Sequence, residues 1–390
     1  MQGSIVAKIA RFHATADGSA ASRALGGYAT MIANWRRNLQ ETRPFVGGAL
    51  SADDFDRIRD YAAQFADRHQ ALFLQREADG RIRDGHGDLR ADAICFDPLE
   101  PDGICIFDCL EFDARLRCAD TGLDIAFLAM DLEQRGAREA ADIVLSLYTA
   151  ALADATLPLV SSFYRCYRAT IRGKIAAIRA TESGLAPAGR EGAGAEARRH
   201  FDLALQYTRA NRAPALLLVL GPSGSGKSLI AGALAHRVGA ALLSTDVIRK
   251  ELAGLPPARR AAVPPGTGLY DRDTTARVYA RITGHAQSLL AAGHAVVLDG
   301  TFLTRALRAP LLALASHTGV PLTVIECQAP EAVIRARQQE RAAQPWTASD
   351  ATCAVYLEQR RQYEPPDEVP DSSRRILDTT RSLAANLDGL

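Results

Sequence analysis

Apolar residues recur at intervals of three and four through the first 85 residues. The runs "IVAKIARFHA", "YATMIANWRRNLQETRPF" and "SADDFDRIRDYAAQFADRHQALFLQR" set them along one stripe each, which predicts helices, and Ser51 with Asp54 marks a helix start. The texture then changes. "AICFD" (93–97) and "ICIF" (104–107) are short, apolar and separated by "PLEPDG", which predicts a hairpin. Helical spacing resumes from about 122 to 180. Residues 181–197, "TESGLAPAGREGAGAEA", are rich in Gly, Ala and Pro without an apolar period and read as a linker. Beyond them "APALLLVL", "ALLST", "HAVVLDG", "PLTVIEC" and "RRILDTT" are strand-like runs separated by helical segments. Such alternation predicts a parallel sheet with helices on both faces. The expected class is therefore α/β: a mainly helical domain over 1–180, a linker and connecting helix over 181–212, and a three-layer parallel-sheet domain over 213–390.

Composition agrees with two domains. The chain has 390 residues, and domains of about 100–200 residues each bury a core of their own. Apolar residues make up 47% and charged residues 23%, ordinary for a globular chain. Net charge is +1 with the basic residues dispersed, so nothing marks a track for duplex nucleic acid. No apolar run reaches 18 residues and no leader pattern opens the chain, so a cytoplasmic protein without a membrane partner is expected. Seven cysteines (95, 105, 109, 118, 166, 327 and 353) fit neither a CxxC pair nor a zinc spacing and are expected to be buried thiols. Only four of the 46 basic residues are lysines: Lys8, Lys174, Lys227 and Lys250.

One of those lysines stands in the strongest chemical signal. Gly221-Pro222-Ser223-Gly224-Ser225-Gly226-Lys227-Ser228 fits G-x-x-x-x-G-K-[ST], with the apolar run "LLLVL" before it and the helical run "LIAGALAHRVG" after it. Glycines let backbone N–H groups wrap a β-phosphate, Lys227 neutralises β/γ oxygens, and the Ser228 hydroxyl can ligate Mg²⁺, so ATP and Mg²⁺ are the expected cofactors. Asp246, after the next strand in "LLSTDVIRKEL", sits where a general base for an acceptor hydroxyl would stand, or caps the helix that follows. Arg249, one turn on, could hold an anionic substrate group, and Arg305 joins it as a substrate candidate. Asp299, closing "AVVLDG", suits a carboxylate acting on Mg²⁺ through water, or simply ends a strand. Arg335, Arg337 and Arg341 lie on the helical stretch "APEAVIRARQQERAAQ"; Arg337 and Arg341 share a face and either clamp a phosphoryl group or line a solvated surface.

From residue 213 to about 380 these motifs, with "SDATCAVYLEQRRQYEPPDE", resemble the P-loop kinase-type proteins related to polynucleotide 5′-kinase, zeta toxins and gluconate kinase. The resemblance implies that Asp246 and Arg249 form a D-x-x-R element of general base and phosphate-binding arginine, and that Arg337 and Arg341 belong to a mobile lid. The first domain resembles the C-terminal lobe of aminoglycoside phosphotransferase-like kinases. "HGDLRADA" (86–93) would be their catalytic loop, and "IFDCLEFD" would carry their metal-binding Asp at Asp108. His86 and Asp88 are in place, but the Asn position is Ala93, and the amino-terminal lobe of such a kinase would take about 80–100 residues ahead of residue 1. Lys8, on an amphipathic stripe with Ile5, Ile9 and Phe12, is expected to be a solvated helix lysine. The loop is expected not to transfer phosphate itself: His86 and Asp88 brace the hairpin and its helices, or line an acidic pocket for a cationic ligand.

Three functions follow as expectations. The first is ATP-dependent phosphoryl transfer to a hydroxyl, with the first domain recruiting substrate. The second is a nucleotide-binding regulatory protein with little chemistry. The third is a 5′-hydroxyl kinase that meets nucleic acid only at its end.

Overall fold

The computed structural model describes residues 2–209, 213–256, 268–342 and 353–390, the side chains of Gln2, Arg341, Ala342 and Cys353 excepted. The chain forms two compact units, Met1–Val144 with Val160–Asn211, and Leu145–Leu159 with Arg212–Leu390.

The amino-terminal half is mostly helical. It runs α1 (Gln2–Thr15), α2 (Ala20–Gly26), α3 (Tyr28–Thr42), α4 (Ala52–Arg68), α5 (Gln70–Ala78), β1 (Ile82–Asp84), β2 (Ile94–Phe96), β3 (Ile104–Ile106), α6 (Ala114–Arg117), β4 (Cys118–Asp120), α7 (Thr121–Gln134), α8 (Arg138–Ala151), α9 (Leu157–Ala180) and α10 (Pro187–Tyr207). Ser51 caps α4 as its spacing suggests, accepting from the Asp54 N–H at 3.1 Å. The apolar stripes of α3, α4, α5 and α9 meet in an aromatic core, where Phe65 stacks on Phe163 with ring centroids 4.9 Å apart and Trp35 packs on Tyr167 at 5.0 Å. A buried ion pair anchors it: Arg76 donates to Asp120 at 2.6 and 2.8 Å, and the Tyr164 hydroxyl adds a bond at 2.9 Å.

The hairpin forms as expected, with Cys95 opposite Cys105 in the β2–β3 register. The pairing of β1 with β4 was not legible, because two three-residue strands are too short to alternate.

Three expectations are corrected here. Lys8 is not a solvated lysine: its ammonium lies 3.0 Å from Asp102 and 3.3 Å from Glu100, and it also donates to the Ile104 carbonyl, so it clasps the hairpin loop. Not all cysteines are buried: Cys118, Cys166 and Cys327 are, but Cys95 is exposed and Cys105 half-buried, since a two-stranded hairpin covers only one of its faces, and Cys109, beyond the hairpin, is exposed too. Cys353 lies outside the described side chains. Residues 181–197 are for the most part not a linker, because α10 begins at Pro187. Alanine is the best helix former and Pro is tolerated in a first turn; the small residues hide a period of four in Ala193, Ala197, Phe201 and Leu205, all buried. Arg165 then closes the far end of α10, lying 4.7 Å over the Tyr207 ring and 2.7 Å from Glu133.

The second unit contains β5 (Leu216–Leu220), α11 (Lys227–Val238), β6 (Ala241–Ser244), α12 (Thr245–Leu252), α13 (Arg272–Ala291), β7 (Val296–Asp299), α14 (Arg305–Thr318), β8 (Leu322–Gln328), α15 (Glu331–Ala342), α16 (Cys353–Gln362), β9 (Arg374–Asp378) and α17 (Leu383–Leu387). All five strands are parallel, in the order β6-β7-β5-β8-β9. Leu218 sits between Leu298 and Val324 in register, and alternate residues of β5, β7 and β8 join Ile282, Ala286 and Leu311 of α13 and α14 in one core. Because α11 covers the opposite face, the central strand β5 is apolar throughout and β7 is apolar up to Asp299, which is why the sequence showed them as unbroken runs. Chain order reverses around β5, and a sheet of this kind binds ligands at the carboxyl ends of the strands beside such a reversal.

Candidate functional site

The β5 strand ends at Leu220, and the next eight residues turn back into α11. Gly221 and Gly224 have φ of +149° and +90°, angles that side chains resist. A Cβ on Gly224 would come within 2.8 Å of the Ile334 methyl. Lys227 opens α11 and is 9% exposed, so its side chain is buried at the start of the helix.

The strand ends supply the rest. The Ser228 hydroxyl donates to Asp299 Oδ1 at 3.2 Å, and the Ser244 hydroxyl donates to Oδ2 at 3.3 Å. Register sets Ser244 of β6 beside Asp299 of β7, bringing both to one edge. Burial pushes the Asp299 carboxyl above the ordinary aspartate range; the Lys227 charge pulls it down and the Asp246 charge raises it again. Asp246 lies half-buried in the first turn of α12. It does not cap that helix, whose cap position is Ser244, and it bonds to no other described side chain. A carboxylate without a side-chain partner among the described residues thus stands close enough to Asp299 to raise its carboxyl.

The arginines are committed elsewhere. Arg249 is buried, donating to the Leu269 carbonyl at 2.7 Å and to Thr275 at 3.3 Å while its guanidinium lies 4.8 Å over the Tyr270 ring. Arg305 is exposed at the start of α14, 3.5 Å from Glu368. Arg335 pairs with Glu331 one turn back at 2.7 Å. Arg337 does not stand free: it donates to Thr379 at 3.0 and 2.6 Å and reaches the Gly224 carbonyl at 3.4 Å. Arg341 belongs to α15, but its side chain lies outside the described residues.

Several residues around the loop escaped the sequence reading. Thr379, just past β9, donates to the Ser225 carbonyl at 2.6 Å; Gln338 donates to the Ser223 carbonyl at 3.2 Å; and Gln359 accepts the Ser223 N–H at 2.8 Å. Ser244 and Thr379 carried a usable signal, since both are small hydroxyl residues at strand ends. The two glutamines carried none.

In the amino-terminal unit the kinase-like residues are dispersed. His86 donates from Nε2 to the Phe107 carbonyl at 2.8 Å, and its Nδ1 accepts the Asp88 N–H at 3.3 Å. Asp88 is taken by Arg90 at 3.0 Å. Asp108 is exposed, at a φ of +63°. His86 and Asp108 line a cavity of about 410 Å³, whereas Asp88 lines a different one.

Five parallel strands with a glycine-rich phosphate loop at the reversal define a P-loop, kinase-type nucleotide-binding domain. The AAA domain family matches residues 216–366, which span it from β5 into the segment after α16. Over 353 residues the chain is 34% identical to the uncharacterized proteins Rv2004c of Mycobacterium tuberculosis (strain H37Rv) and Mb2027c of Mycobacterium bovis, covering 89% of itself and 67% of each relative. The chain belongs to the same family as these mycobacterial proteins. Among solved structures, a gluconokinase from Sinorhizobium meliloti is 23% identical over 46% of this chain and 90% of its own, at a TM-score of 0.33. A putative kinase from Chloroflexus aurantiacus is 22% identical over 45% of this chain and 93% of its own, at 0.36. Among the described residues no helix is long and apolar enough to cross a membrane.

Proposed function

We propose that the second unit is an ATP-dependent phosphotransferase that moves a γ-phosphate to a hydroxyl acceptor, with Asp246 as general base. The observation that carries this reading is Asp246 itself. A nucleotide switch has no need of an acid group that, among the described residues, caps nothing and bonds to no side chain, yet stands near enough to Asp299 to raise its carboxyl. The loop's backbone N–H groups and Lys227 would take the β- and γ-phosphates. Ser228 and Asp299 would hold Mg²⁺: one hydroxyl and one carboxylate are a donor set this ion accepts when phosphates and water complete its shell. The ion would supply neutralisation of phosphate charge. Asp246 would accept the proton of the attacking hydroxyl, and Arg337 would steady the loop from the side. The first unit then serves as the module that recruits the acceptor.

The test is ADP release from the whole chain with Mg²⁺-ATP against 5′-OH oligonucleotides, nucleosides, sugars and aminoglycosides, with Lys227→Ala alongside. Acceptor-dependent release that Lys227→Ala abolishes supports the reading. Slow release that no acceptor stimulates would favour a switch instead.

A further inference from the structure

A cavity of about 460 Å³ lies within the amino-terminal unit, walled chiefly by α3, α9 and residues 110–120. That volume suits a small organic molecule. Two side chains on its wall are buried and unsatisfied. Asn38 is 3% exposed, yet neither its amide nitrogen nor its amide oxygen has a hydrogen-bond partner among the described residues. Arg168 is 5% exposed; its guanidinium lies 4.6 Å over the Phe127 ring and, among the described residues, makes one long hydrogen bond, from Nε to the Leu123 carbonyl at 3.5 Å. Its Nη2 lies 3.5 Å from Asp124 Oδ1 without bonding to it. Asp124 has little to give, because its oxygens already accept the His86 and Gly87 N–H groups at 2.6 and 2.9 Å and face His13 at 3.3 Å. Buried polar groups are nearly always bonded, so two with open atoms lining one cavity point to a missing occupant.

Charge says which kind. The wall's carboxylates are spent: Asp120 on Arg76, Asp113 on Arg115, Asp88 on Arg90 and Glu41 on Lys174. Arg168 remains as a buried cation whose nearest carboxylate is shared. Burial holds its guanidinium below the ordinary arginine range, and a bound anion would reverse that.

We infer that this cavity binds a small organic oxyanion, a carboxylate or phosphate ester, with its charge on Arg168, a polar atom on the Asn38 amide and its apolar body against Phe127 and Tyr167. The inference is read by binding and stands apart from the phosphotransfer reading. The test is calorimetric titration of the whole chain with three probes of related shape: 4-phenylbutyrate, phenyl phosphate and 4-phenylbutylammonium. At least one anion should bind, at least tenfold tighter than the cation, and which anion it is assigns carboxylate or phosphate. Arg168→Met should weaken anion binding tenfold or more, and Asn38→Leu severalfold without any change of charge. No binding at millimolar concentration, a cation bound as tightly as the anions, or anion binding indifferent to Arg168 would each overturn the inference. If Arg168→Met does not fold, the wild-type comparison of anion with cation and the Asn38→Leu titration still decide.

Discussion

Replacing Asp246 by Asn separates chemistry from architecture. The side chain keeps its size and loses its charge and basicity. No side-chain hydrogen bond is lost, because the Asp246 carboxylate makes none to another described residue. The negative charge in the first turn of α12 contributes about 0.3–1 kcal/mol through the helix dipole. Against that, removing it relieves the repulsion that helps raise the Asp299 carboxyl, so stability should change by no more than about 1 kcal/mol. A general base is worth about 10²–10⁴-fold in rate, or about 3–5 kcal/mol at the transition state. The catalytic loss should therefore exceed the structural one several times over. Urea unfolding and ATP titration of the variant should match the wild type closely, while acceptor-dependent ADP release falls at least a hundredfold. If turnover survives within about threefold, proton transfer lies elsewhere and the assignment fails.

Asp88→Ala should leave that same turnover within about twofold, because it removes only a half-exposed pairing with Arg90; a loss as large as that of Lys227→Ala would move the engine to the first unit. Gly224→Ala forces a side chain onto a φ of +90° against the Ile334 methyl at a cost of about 1–2 kcal/mol, and nucleotide affinity measured by titration should drop about tenfold or more. Burial pushes the His200 imidazole down to about 4, so the folded unit resists protonation that the unfolded chain accepts. The stability this provides is complete above about pH 6.5 and is lost as pH falls toward 4, by up to about 3 kcal/mol. His200→Leu should flatten the fall in urea midpoint between pH 7 and pH 4.5, and an unchanged fall would mean another group carries it.

What could be read from sequence was local. Buried parallel strands announce themselves as apolar runs, and the phosphate loop as a string of eight residues whose chemistry needs little else. Asp299 and Asp246 followed because a residue at a strand end has a known place in such a sheet. What could not be read joins distant positions. Lys8 meets Asp102 and Glu100 across some 90 residues, so its own helix gave no hint of them. Arg337 is at helical spacing from Arg341, but its partner is Thr379, on a strand end that its own helix does not predict. The α10 tract misled for a different reason: Gly, Ala and Pro describe a flexible tether and a tightly packed small-residue helix equally well, and only its neighbours choose between them.

The bond from Thr379 to the Ser225 carbonyl spans 154 residues of chain. The eight-residue loop is therefore finished late. As the polypeptide leaves the ribosome, β5 and α11 can form early, yet the hydroxyl that fixes the loop arrives only when β9 has been added to the edge of the sheet. Nascent chains ending before that strand should have the motif and lack the grip on nucleotide. Competence to bind would then report that the sheet is complete, and chaperones would meet this unit before its ligand does.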